Sequence, residues 1–534
     1  MIGTTRPLVG IGVLLKATLR HELKRFIPWI AIVTMLSTSS ILAYAWMFPH
    51  REDRAVLDAT IGGNPALGLI FGPARNLYTN EGFNTWRAFA LGGFLTGIAA
   101  IFAVTKATRG QEDSGQAELL ASGAMGRGAR LAVAVLLGVI GSTLVGVVTA
   151  LCTLLCGAEA DATLLLAATF TATGWMMSAV AAVAAQLGST ARAANTLAVS
   201  TLSVLFILRG FLLSLEAPAW TNWANPLGWL DETRPATDNH WWPLLYALVF
   251  TLIVTAVAFG LSSGRDFGQG IIPSQPGPVH GSLRGVEGLI WRLNKAPAFT
   301  WVIAFVALGV IFGYFIGSVK DLLASSPAMA AMMAGGAVDP AQLVNNFAVT
   351  MLSMLGIIAA IPGVQVVLRI VSEENSQRIE PILTGGISRL RYCAVTLAAA
   401  AATSTACLLF AGVLVAWLSS RADIGLSFSD VFIQSAVTSV ATWPIIGIAA
   451  VVVGARPRFA IAAWVGVLES FSITIFGPTF KAPDWTMAFS PFHHIPHVME
   501  SDAHGWGVLG LLVASALLCV IGCSAFNRRD IGVG

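Results

Sequence analysis

Twelve runs of apolar residues, each about the 20 residues that a helix needs to cross a bilayer, set the limits on what this chain can fold into. They fall at roughly 27–48, 87–107, 129–156, 162–187, 193–215, 243–262, 299–319, 345–371, 392–419, 429–453, 458–478 and 505–524. The longest outrun the bilayer and must tilt, kink or extend past it. The run 162–187 is Ala-rich and only moderately apolar, so its place rests on the internal repeat below. With 56% hydrophobic and 11% charged residues, a soluble globule is excluded. The expected fold is an all-α polytopic membrane protein with twelve transmembrane helices.

Charge orients the spans. Placing the N-terminus in the cytoplasm puts most of the 31 Lys and Arg on the inner side. Twelve spans then leave both termini cytoplasmic, and the net charge of +3 is a topology signal, not a nucleic-acid footprint. Positive charge continues to Arg25 with no small-residue cleavage site after a short apolar core, so the first run is expected to be retained. Upstream of it, Leu8, Ile11, Leu15, Leu19 and Leu23 alternate with Lys16, Arg20 and Lys24 at helical spacing. The segment 8–26 therefore reads as an amphipathic helix on the inner membrane face.

The chain is written twice. E-D-S-G-Q-A-E-L-L-A-S-G-A-M-G-R (Glu112 to Arg127) recurs 262 residues later as E-N-S-Q-R-I-E-P-I-L-T-G-G-I-S-R (Glu374 to Arg389). The register reaches back to Pro65 and Pro327 in the loops after the first and seventh runs. Ala217 to Pro226 matches Ala482 to Pro491 at offset 265, and Gly264-Arg265-Asp266-Phe267-Gly268 matches Arg528-Arg529-Asp530-Ile531-Gly532. Each half, 1–262 and 299–534, holds six spans, so the halves are parallel repeats about an axis along the membrane normal. The segment 263–298 joins them through Pro273-Ser274-Gln275-Pro276-Gly277-Pro278. Its end, Leu283 to Lys295, repeats the amphipathic character of 8–26.

No catalytic constellation is visible. The six lysines lack the G-x-x-x-x-G-K-[ST] context of a phosphate loop, so ATP hydrolysis on this chain by that machinery is excluded. The acidic motifs fall in loops on the inner side and read as short helices over 110–124 and 372–387. Glu112, Asp113, Glu118 and Arg127, with Glu373, Glu374, Glu380 and Arg389, are the residues expected to meet a soluble partner. Charges inside spans are costly and functional by default, which singles out Arg209 and Glu469. The offset sets Glu469 opposite Val204, about one turn from Arg209. The pair could meet across the pseudo-twofold axis or hold a charged substrate, or Arg209 could snorkel to the interface. Trp175 and Trp443 occupy matching places in spans four and ten, as candidates for an aromatic cavity or as packing residues. His493, His494 and His497, with Glu500, Asp502 and His504, have metal-ligand character, but no matching set exists in the first half and no metal is expected. The six cysteines lie in or at the ends of spans and read as small apolar residues.

The acidic motifs, the N-P-A-L-G-L-I-F-G loop at 64–72 and the R-D-x-G ends at 265–268 and 529–532 resemble permeases of the ABC-2 exporter type. The chain is most similar to actinobacterial multidrug and polyketide-antibiotic exporter permeases. That resemblance implies that 112–127 and 374–389 are coupling helices seated in clefts of two ATPase subunits. It implies that 8–26 and 283–297 are connecting helices. It also implies a separate ATPase partner, a homodimer, that binds ATP and Mg, with none on this chain. Pro381 in place of Leu119 makes the two docking sites unequal. The cargo would be hydrophobic or amphipathic, in contact with membrane lipids. The alternatives are a proton-coupled 6+6 secondary transporter, an ABC-2 exporter of lipid or polysaccharide, and a non-transporting scaffold.

Overall fold

The computed structural model describes residues 9–51, 54–55, 58, 71–121, 126, 128–214, 218, 220–264, 268–272, 285–317, 340–422, 424–479, 483–498 and 505–530. Among them there is helix and turn but no strand. Among the described residues, eleven helices are long and apolar enough to cross a membrane: Ile11–Met47, Asn80–Asp113, Ala129–Leu155, Ala160–Leu187, Ala191–Leu213, Pro243–Ser263, Gly285–Gly317, Val344–Asn375, Arg389–Arg421, Phe428–Ala455 and Trp506–Arg528. The chain divides into two compact units, Met1–Gly277 and Pro278–Gly534.

The run at 458–478 does not form the continuous span expected of it. Pro457–Trp464 is a 3-10 helix, with Phe459 outside helical geometry, and an α-helix follows only at Val465–Thr479. Proline donates no hydrogen bond, and the tight 3-10 turn rarely persists beyond a few residues. Eight such residues against a bilayer-length apolar run mark a built interruption. Its first-half counterpart at offset 265, Ala191–Ser214, is unbroken. The tenth span also changes helix at Ala441, between Phe428–Val440 and Thr442–Ala455.

The lead-in segments are not separate helices lying apart from their spans. Ile11–Glu22 passes through a 3-10 turn, Leu23–Phe26, directly into Ile27–Met47. Gly285–Gly317 is a single helix that runs through Pro297. Its first turns bury Val286, Ile290 and Asn294 and expose Trp291. That is one helical stripe inward and the amphipathic remainder outward.

In the first unit the core is Asn80–Thr105, Ala129–Leu155 and Ala160–Leu187. Small residues let these helices approach closely: a Cβ on Gly174 would run into Ser142 Oγ, and one on Gly141 would run into the Phe26 ring. Helix contacts of this kind replace the hydrophobic drive that lipid removes. Hydroxyls add to it. Thr34 Oγ1 bonds Thr149 Oγ1 and Ser37 Oγ bonds Thr153 Oγ1, each at 3.1 Å, and Asn84 Nδ2 donates to Ser37 Oγ at 2.9 Å. In the second unit Gly363 meets Ser404, and Gly412 meets Ser435, in the same way.

Candidate functional site

The two acidic loops turn on the same backbone corner. The helix carrying Glu112 ends in a π-turn, Lys106–Gly110, and a last turn, Gln111–Asp113. The chain then reverses at Gly115 (φ 74), whose N–H donates to Glu112 O at 3.1 Å. Its counterpart Gln377 adopts the same left-handed conformation (φ 56) and donates to Glu374 O at 2.9 Å. A new short helix follows each reversal, Gln116–Ala121 and Glu380–Thr384. The expected single helices over 110–124 and 372–387 are thus each a span tail, a left-handed corner and a short helix. Glycine takes this corner freely, while a Cβ makes it costly. Gln377→Gly is therefore expected to stabilise the chain by about 0.5–1 kcal/mol, and Gly115→Ala to destabilise it by a similar amount. Thermal unfolding in detergent checks both. Shifts of the same sign would refute the shared corner.

Beyond the corner, Ala117 and its counterpart Ile379 are fully buried, while the next residues, Glu118 and Glu380, are exposed. One side chain anchors each short helix and the next faces out.

The other acids face inward. Glu112 accepts from Arg109 Nη1 at 2.9 Å and from Arg130 Nη2 at 3.1 Å, with its side chain 7% exposed. Glu374 receives both Nη groups of Arg529, at 2.5 and 2.6 Å, and Glu373 pairs with Arg369 and Arg378. Arg389 Nη1 donates to Arg529 O at 2.7 Å, which closes the clamp on the end of the last helix. Asp113 accepts the Ala191 N–H at 2.8 Å, capping the start of Ala191–Leu213, three spans further on. So Glu112, Asp113, Glu373, Glu374 and Arg389, expected to face a partner, are bonded within the chain, to their own loops or to neighbouring helix ends. Arg127 lies outside the described residues.

Arg109 is the hub of the first loop. It is 1% exposed and donates to Ala185 O (2.5 Å), Glu112 (2.9 Å) and Gln269 O (3.0 Å). Neither Arg109 nor Arg529 was singled out from sequence as a pairing residue. Arg529 was legible only as part of the repeated R-D-x-G end.

At the opposite end of the first unit, Arg209 is 3% exposed and pairs with Asp231, through Nε and through Nη2 at 2.6 Å. Among the described residues the carboxylate that Arg209 meets is this local one and not Glu469, and it satisfies the guanidinium with two charge-assisted bonds. Asp231 carried no sequence signal, lying 22 residues away at the end of a short helix, Pro226–Asp231. Arg209 also stacks over the Phe89 ring at 5.3 Å. Nearby, Arg75 Nη1 donates to Asp231 O at 2.9 Å. Burial pushes the Arg75 guanidinium below the ordinary arginine pKa; Asp231 and Glu232 oppose that shift, and Arg234 and Arg209 add to it.

Glu469 sits in the short helix after the interruption. Its Oε2 accepts from Ser470 at 3.4 Å, and its buried Oε1 has no partner among the described residues. Trp175 Nε1 donates to Thr143 Oγ1 and Trp443 Nε1 to Thr405 Oγ1, both at 3.1 Å. Thr143 and Thr405 are themselves 262 apart, so the two half-buried tryptophans are equivalent in contact as well as in span.

A family model described as the C-terminal domain of the multidrug efflux system permease Rv1217c matches residues 57–261 and 283–527. The multidrug efflux system permease protein Rv1217c of Mycobacterium tuberculosis (strain ATCC 25618 / H37Rv) is 32% identical over 528 residues, 97% of this chain and 94% of the relative. The chain belongs to this permease family. As a multi-pass membrane member of it, the chain carries one matched stretch within each of its two compact units. Within the permease, the histidine segment packs on itself: the His493 and His494 rings meet edge-on, and His494 Nε2 lies 2.7 Å from Ala488 O. Glu500, Asp502 and His504 lie outside the described residues.

Proposed function

We propose that this chain is the membrane permease of an ATP-driven exporter that moves hydrophobic or amphipathic compounds outward. A separate ATPase homodimer would carry ATP and Mg. The name of the Mycobacterium tuberculosis relative supports multidrug efflux as the activity. The observation that carries the ATPase partnership is the duplicated corner, with a buried anchor (Ala117, Ile379) next to an exposed carboxylate (Glu118, Glu380). An element braced from behind by buried ion pairs and presenting one acid outward suits a lever better than a solvated loop does.

On this reading the interrupted run at 457–479 completes a set of twelve crossings. Two parallel sets of six alternate between inward-open and outward-open as the ATPase dimer closes and reopens. Both termini are cytoplasmic, and Glu118 and Glu380 are the coupling residues. Differential affinity of ATP for the closed dimer drives the change. Glu469, Trp175 and Trp443 lie on the substrate pathway. This chain itself performs no chemistry.

The test is the double substitution Glu118→Lys and Glu380→Lys, with the partner ATPase co-expressed. Drug-stimulated ATPase activity should fall at least about 10-fold, a loss of roughly 1.4 kcal/mol of coupling, while the chain still folds. Unchanged co-purification and stimulation would sink the docking role. Efflux that persists without any ATPase, driven by a proton gradient, would favour the 6+6 secondary transporter instead.

A further inference from the structure

Arg209 and Asp231 line a cavity of about 40 Å³ in the first unit, together with Arg75, Arg234, Trp86 and Phe89. We infer that this cavity is a binding site for one small monovalent anion, a halide or a carboxylate group.

Charge is the first argument. Three guanidinium groups line the cavity against one carboxylate. Asp231 is taken by Arg209, and Arg234 has its own partners outside the lining, Glu232 and Asp238, each at 3.1 Å. Arg75 has no carboxylate within pairing distance among the described residues; its Nη1 donates to a backbone carbonyl, Asp231 O. A desolvated cation without a counter-ion is expensive, and a small anion is what relieves it.

Donor geometry is the second. Asp231 occupies Nε and Nη2 of Arg209, and Phe89 covers its face. That leaves Nη1, buried and without a partner among the described residues, and the Nε of Arg234 is in the same condition. Buried donors of this strength are rarely left unmade. Trp86 does not compete, since its indole N–H is already given to Gly72 O at 3.1 Å.

Size is the third. The roughly 40 Å³ open to water-sized groups exceeds the roughly 10–15 Å³ that one water needs, so a small anion fits. Among the described residues, the second unit does not repeat the Arg209–Asp231 pair. At offset 265, Thr474 stands for Arg209 and Pro496 for Asp231, and Thr474 Oγ1 bonds Ser490 Oγ at 2.9 Å. The site therefore belongs to one half only, at the end that charge bias puts outside the cell.

The full chain, purified in detergent, is titrated with sodium chloride or sodium acetate against sodium isethionate at constant ionic strength, with thermal unfolding as the readout. A saturable rise in Tm is expected, with its midpoint shifted at least about 10-fold to higher anion in Arg75→Gln. If that variant does not fold, Arg234→Gln, whose side chain is 40% exposed, carries the same expectation. A response to chloride alone identifies a free halide, and a response to acetate alone a carboxylate head group. Equal Tm in isethionate and in both test anions, or a response that neither substitution moves, would leave the cavity to water and overturn the inference.

Discussion

Replacing Asp231 by leucine should destabilise the chain by about 3–5 kcal/mol, because it strands the Arg209 guanidinium in a site where it is 3% exposed. Arg209 would lose both of its carboxylate bonds at once, and only the Phe89 face would remain. The companion substitution Arg209→Met, made in the same chain, should restore most of that loss. Two well-packed apolar residues carry no desolvation cost, so a buried ion pair is costly to break and cheap to replace. Unfolding of both single variants and of the double variant in detergent gives the coupling energy directly. Additive effects would show that the pair does not exist in the folded chain.

Arg109→Lys should cost a similar amount, about 3–5 kcal/mol. The positive charge is kept, but a lysine ammonium cannot reach Ala185 O, Glu112 and Gln269 O together, as the planar guanidinium does. The loss would loosen the junction where Asn80–Asp113 meets the end of Ala160–Leu187. At that junction Ile271 and Ile272 also donate to Gln186 O and Leu187 O. Reduced thermal stability, with earlier proteolysis near residues 268–272, is the expected result. A variant that unfolds as the parent does would show that the charge alone mattered.

The helical membrane character was legible in the chain because a bilayer-length apolar run has few other solutions. Helix Ala129–Leu155 starts and stops within a residue of its expected run, and Pro243–Ser263 does likewise. The interruption at Pro457–Trp464 was hidden because mean hydropathy does not register a 3-10 turn; the apolar side chains continue through it. The repeat was legible as spacing, and the structure adds that Gly115 and Gln377 share one backbone corner although their side chains differ.

What each acid does was not legible. Glu112, Glu118, Glu374 and Glu380 look interchangeable in the motif, yet two are buried in ion pairs and two face outward. A carboxylate's role depends on which guanidinium lies within 3 Å of it, and those partners come from 3 to 155 residues away. The sequence by itself determined the material of this protein: apolar helices, a duplicated plan and polar loops at the ends. Only the tertiary structure decided the pairing of its charges. Apolar burial depends on composition and period alone, whereas an ion pair depends on the position of two particular atoms.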